Sequence, residues 1–139
     1  FMPAYGGAGP ISTTVTAYQN NGAVAGSYRV EFASHIGANW SYTVTNLTGA
    51  ALSHWVLGIE SCSDLYSGAT RSGAWTTGDP TTGAIGVKWD SDLPSGSTPK
   101  LYTITLTNNV PEGTIAVVGK GGTGCSDDCR LSLAPETGQ

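Results

Sequence analysis

Apolar residues alternate with Thr or Ser at a period of two along Ile11-Ser-Thr-Thr-Val-Thr-Ala-Tyr18, Trp40-Ser-Tyr-Thr-Val-Thr45 and Leu101-Tyr-Thr-Ile-Thr-Leu-Thr107. Successive side chains of a strand point to opposite faces, so this pattern buries one face and wets the other. Thr on the wet face adds β-branched stiffness without charge, which keeps strand propensity high while the exterior stays hydroxyl-rich. No stretch carries the 3.6-residue period of an amphipathic helix, so these faces must be buried by packing sheet on sheet.

The alternation predicts strands at about 11–18, 27–34, 39–46, 53–60, 84–89, 100–107, 113–119 and, more weakly, 129–133. Turn signals separate them: Asn20-Asn21-Gly22, Gly37, Asn46-Leu-Thr-Gly49, Asp90-Ser-Asp-Leu-Pro-Ser-Gly96 and Asn108-Asn-Val-Pro-Glu-Gly113. Residues 1–10 carry two Pro and three Gly and read as a flexible N-terminal tail. Residues 61–83 lack periodicity over a length that no simple connection needs, and read as a binding loop. The expected fold is all-β: an Ig-like or jelly-roll-like sandwich of seven to eight strands over residues 11–139, without a second domain or internal repeat.

A chain of 139 residues buries roughly two thirds of its unfolded surface, so neither a metal nor a dense set of disulfides is required for folding. Charged residues make up only 12%, about half the usual share, which is unusual for a cytosolic enzyme and common among secreted structural domains. Net charge is −4, and the six Lys and Arg are scattered at Arg29, Arg71, Lys88, Lys100, Lys120 and Arg130. That distribution argues against nucleic acid and against an anionic membrane surface as partners. No run of about 18 apolar residues exists, so membrane insertion is not expected. The start at Phe1, without an initiator Met or a leader pattern, fits a processed mature chain or an excised fragment.

Three cysteines are present: Cys62, Cys125 and Cys129. An odd count in a secreted chain suggests one internal bridge plus one leftover thiol. Cys62 bridged to Cys125 or Cys129 would close a long loop, and a local Cys125–Cys129 bridge is the other choice. Two glycosylation sequons, Asn39-Trp-Ser41 and Asn46-Leu-Thr48, stand at either end of one predicted strand.

Catalytic and metal constellations are weak. Ser53-His54 cannot act as a nucleophile and base pair, because adjacent strand residues face opposite sides; His54 reads as a strand-surface residue. Glu31, Glu60, Asp64, Asp79, Asp90 and Asp92 are available for sugar hydrolysis, but a small sandwich offers little cleft wall to raise one carboxyl pKa. Asp90/Asp92 and Asp127/Asp128 lack the spacing of a calcium loop, and zinc at Cys125 and Cys129 would have to draw on His35, His54 or Cys62. No enzymatic activity, cofactor or metal is therefore expected. Trp40, Trp55 and Trp89 fall in phase with apolar strand neighbours and belong in the core. Trp75, in the aperiodic loop beside Asp79, either holds a sugar ring or folds back to cap the core.

The N-terminal segment yields the sharper expectation. A tail followed by Ile11–Tyr18 can leave its own domain and complete a neighbour's sheet, with Ile11, Val15 and Tyr18 as anchors; the alternative is an ordinary edge strand. Few charges on edge strands mean little protection against edge-to-edge pairing.

Thr-rich alternating strands, sparse charge and Gly-rich turns such as Val118-Gly-Lys-Gly-Gly122 resemble secreted bacterial and archaeal surface domains, namely pilus and filament subunits and adhesin modules. The resemblance implies an extracellular or cell-surface location and a part in adhesion. The chain departs from two motifs of such proteins. A Lys-to-Asn cross-link between first and last strands has no counterpart, since the first Lys is Lys88 and Arg130-Leu-Ser-Leu133 contains no Asn. The tail Leu133-Ala-Pro-Glu-Thr-Gly138 looks like a sortase signal interrupted by Ala134. The expected function is a non-enzymatic structural subunit whose partners are copies of itself, with glycans on its surface. The alternative is a carbohydrate-binding or adhesive module built on residues 61–83 with Trp75 and Asp79.

Overall fold

The computed structural model describes residues 12–18, 23–49, 52, 54–80, 83–90, 99–120 and 130–135. Ten strands form among them: β1 (Ser12–Tyr18), β2 (Val24–Ile36), β3 (Asn39–Gly49), β4 (His54–Gly58), β5 (Tyr66–Ala69), β6 (Ala74–Thr76), β7 (Gly86–Trp89), β8 (Lys100–Leu106), β9 (Glu112–Lys120) and β10 (Arg130–Pro135). A 3₁₀ segment, Glu60–Leu65, links β4 to β5. The strands make two five-stranded antiparallel sheets, ordered β1-β2-β3-β8-β5 and β10-β9-β4-β7-β6.

The expected all-β class is what the chain adopts, with eight of the strands where the alternation placed them. The count is corrected upward by β5 and β6, which arise inside the segment read as a loop. Both are only four and three residues long, too short to show a period. β5 pairs with β8 and β6 with β7, so the chain crosses from one sheet to the other between them. The crossing is a tight turn in which the Gly73 N–H donates to the Thr70 carbonyl at 3.1 Å. Its central residues, Arg71 and Ser72, have φ of 55° and 60°, the left-handed region that L side chains avoid.

The core lies between the sheets and is filled by the in-phase residues. Tyr28, Val30, Trp40, Tyr42 and Val44 face Trp55, Leu57, Val87, Trp89, Ile115 and Val117, all at or below 5% exposure. Trp55 and Trp89 stack with ring centroids 4.5 Å apart, and Tyr102 meets both edge-on at 5.4 Å. Trp40, Trp55 and Trp89 are therefore core residues, as their phase predicted. The Trp89 indole N–H donates to the Thr70 carbonyl at 2.8 Å. The β2–β3 hairpin closes through Gly37, whose φ of +59° suits the two-residue turn at this tip.

No helix among the described residues is long and apolar enough to cross a membrane. The 1–10 tail, the anchor Ile11 and both Cys125 and Cys129 lie outside the described residues. The interrupted sortase-like motif starts within a strand, since Leu133, Ala134 and Pro135 belong to β10.

Candidate functional site

The outer face of the first sheet is built by the wet half of the alternation. Thr14 pairs with Arg29 and Arg29 with Thr45, while Ser12, Glu31, Thr43 and Leu101 form the next row. The charges of these two rows offset each other, with Arg29 Nε 3.1 Å from Glu31 Oε1. Hydroxyls bond to one another across strands: Ser41 Oγ lies 2.8 Å from Thr103 Oγ1, and Thr105 Oγ1 donates to Asn39 Oδ1 at 2.7 Å. Among the described residues this face is largely hydroxylated, with Arg29 and Glu31 paired within it.

The second sheet treats its outer face differently. Trp55 and Leu57 of β4 point into the core, so His54 and Val56 point outward; likewise Val87 and Trp89 direct Lys88 outward. Yet His54 is only 5% exposed and Val56 0%. Asp79, from the β6–β7 connection, reaches this face and places Oδ2 3.1 Å from His54 Nε2 and Oδ1 2.9 Å from Lys88 Nζ. The connection thus folds back over the outside of its own sheet. It is drawn tight by two main-chain bonds, Asp79 N–H to the Ala84 carbonyl at 2.9 Å and Gly83 N–H to the Asp79 carbonyl at 2.7 Å. A buried carboxylate held by two bases fastens the strap, because an unpaired charge there would carry the full cost of desolvation.

Two expectations are corrected by this cluster. His54 is a buried hydrogen-bond partner of Asp79, not a strand-surface residue, because the strap reaches across it. Asp79 does not stand exposed beside Trp75 for a ligand: it is 1% exposed and its two oxygens are taken by His54 and Lys88. Trp75 itself is half-buried and packs against the core, its ring 5.4 Å from that of Tyr66. It takes the core-capping position of the two foreseen.

The second histidine also joins distant elements. His35 stacks on Trp40 at 3.5 Å. Its Nδ1 is 3.2 Å from Glu112 Oε2, and its Nε2 is 2.9 Å from both the Gly37 carbonyl and Asn109 Oδ1. It ties the β2–β3 hairpin of one sheet to the start of β9 in the other. Sequence reasoning missed this clamp and the Asp79 fastening alike, because Glu112 is 77 positions from His35 and His54 is 25 from Asp79, and no local period marks them.

The remaining site residues are placed as follows. Cys62 is wholly buried in the core at the 3₁₀ segment, with Sγ 3.8 Å from Ser61 Oγ. Asn39 is exposed at the start of β3, whereas Asn46 is 4% exposed, so a glycan on Asn46 has no room in the folded domain. That removes one of the two expected glycosylation sites. No group of three or more His, Cys, Asp or Glu able to hold a metal occurs among the described residues.

β1 is the terminal strand of the first sheet and pairs in register with β2 from Ser12 through Ala17 before a bulge at Tyr18. Val15 is 1% exposed and packs over Gly119 of the opposite sheet. Among the described residues, β1 therefore occupies its own sheet's edge. Tyr18 lies at the end of the strand, opposite Val24. No protein-family model, curated protein or solved structure matches this chain.

Proposed function

We propose that the chain is a non-enzymatic extracellular structural subunit that joins copies of itself into a surface filament or layer through its N-terminal strand. The observation that carries this reading is the construction of β1. It is a seven-residue strand with no charged side chain, and among the described strands it lies at the end of its sheet, paired with β2. A strand of this kind can be supplied to β2 from another copy with every main-chain bond and the Val15 packing preserved, which is the condition for exchange. The hydroxylated, charge-balanced outer face of the same sheet suits a subunit that meets solvent and surface glycans, and exposed Asn39 is the place for a glycan. No cofactor takes part.

The test is deletion of residues 1–18, with far-UV circular dichroism to follow the sheet and sedimentation velocity to follow particle size. Loss of assembly in a chain that keeps its β signature is expected. Assembly that proceeds unchanged without the strand refutes the proposal.

A further inference from the structure

The fastening of the strap brings a primary amine onto a carboxyl group. Lys88 Nζ lies 2.9 Å from Asp79 Oδ1, the oxygen bonded to Cγ, and His54 Nε2 lies 3.1 Å from Oδ2. The Asp79 side chain has 0% exposure and His54 is itself buried, so the carboxyl group is shut away from bulk water. Each reactant is held by its own element. In the register of the sheet Lys88 stands between Ala74 of β6 and Val56 of β4, which fixes the root of the amine. The acid is fixed by the strap, through the main-chain bonds of Asp79 with Ala84 and Gly83.

These are the conditions under which an amine and a carboxyl group condense. Groups held in contact react as a unimolecular pair, with effective molarities of about 10⁵–10⁸ M where the reacting atoms are roughly 3–3.5 Å apart. In water, hydration of the ammonium and the carboxylate keeps the ions favoured over the amide. Burial takes that hydration away, and condensation replaces two costly charges by one neutral group. His54 touches the second oxygen, where a proton must arrive for that oxygen to leave.

We propose that Lys88 and Asp79 condense to an amide in the folded chain, a covalent lock that ties the strap to β7. Nζ gives its electron pair to Cγ, the bond from Cγ to Oδ2 breaks with its pair going to oxygen, and Oδ2 leaves as water. Two of the three ammonium protons depart with that water, and the third stays on the amide nitrogen, while Oδ1 remains as the amide oxygen. His54 is the general acid to the departing oxygen and regains its proton from the nitrogen. An ammonium and a carboxylate thus become a neutral amide and one water, and nothing is oxidised or reduced. The ion pair is the form the structure shows, and the amide is the form that pair becomes. The lock lies within one chain and does not rest on the assembly reading above.

Intact-mass spectrometry of the full chain, purified folded and then reduced, reads the bond directly. A mass one water below that of the sequence is expected, whereas Lys88→Arg, which keeps the positive charge but has no primary amine, is expected at its full mass. A tryptic digest places the loss, because trypsin cuts after Arg71, Lys88 and Lys100 and an amide on Lys88 blocks the middle cut. The expected product is residues 72–100 as one peptide lighter by one water. Asp79 cannot lose water alone by closing a succinimide, since that ring needs the N–H of the next residue and Pro80 has none. The full sequence mass, or a water lost from a chain that is still cut at Lys88, overturns the lock. His54→Gln is expected to carry a smaller dehydrated fraction with an unchanged far-UV circular dichroism spectrum. A fraction equal to that of the unaltered chain overturns the part given to His54.

Discussion

Replacing Lys88 by Met removes the ammonium 2.9 Å from Asp79 Oδ1, a carboxylate of 0% side-chain exposure that His54 also contacts. Removing one partner of a buried pair costs about 3–5 kcal/mol, because the survivor loses a charge that offset its desolvation. Asp79→Asn is milder. The Lys88 side chain is 27% exposed and can turn its charge toward water, and the Asn carbonyl still accepts from His54. The ion pair with Lys88 is lost and the bond with His54 becomes a neutral one, a loss of roughly 2–3 kcal/mol. The combined Asp79→Asn, Lys88→Met chain buries no charge at this point and is expected to be more stable than Lys88→Met alone. Urea unfolding at neutral pH, followed by tryptophan fluorescence, gives all three values. For a chain of this size Lys88→Met also lowers Tm by roughly 12–20 °C. A Lys88→Met chain within about 1 kcal/mol of the unaltered protein, or effects of the two changes that simply add, would contradict a fastened strap.

Ser72 sits at φ 60° in the turn between β5 and β6, so Ser72→Gly relieves left-handed strain and is expected to raise stability by about 1 kcal/mol in the same urea assay. The Trp89 indole N–H is bonded to Thr70, whereas that of Trp55 is buried with no partner among the described residues. Trp89→Phe therefore costs about 1 kcal/mol more than Trp55→Phe, measured by thermal unfolding. Burial holds the Tyr42 phenol well above its usual 10.0, reinforced by Glu112 and Cys62; burial also raises Tyr28 and Tyr66. The unfolded chain thus ionises first, and stability is full below pH 10 and falls as pH rises above it. Tyr42→Phe is expected to flatten that alkaline fall in a Tm-against-pH series, and an unchanged slope would count against it.

What was legible in the sequence is what period two encodes. Trp40, Tyr42 and Val44 alternate with Ser41, Thr43 and Thr45, and that alternation alone assigns strand, face and core. β5 and β6 escape it because four and three residues show no period. The strap escapes it for another reason: Asp79-Pro80 is ordinary turn chemistry, and what makes Asp79 a buried partner is that His54 and Lys88 come to lie beside it in space. His54 looked like a surface residue because its strand phase is outward, and strand phase says nothing about what crosses over a sheet. The glycosylation sequons show the same limit. Asn39 and Asn46 match one pattern, yet strand phase turns Asn46 into the protein and leaves Asn39 outside. The uncharged character of β1 was readable from its seven residues, but that it ends a sheet among the described residues required the pairing of the strands.

The role assigned to β1 is tested most directly by the solution mass of the unaltered chain across a concentration series, by sedimentation equilibrium. A weight-average mass that climbs above 14.2 kDa with concentration in the unaltered chain, and no such climb once residues 1–18 are deleted, is the predicted result. A single 14.2 kDa species throughout the series would contradict it.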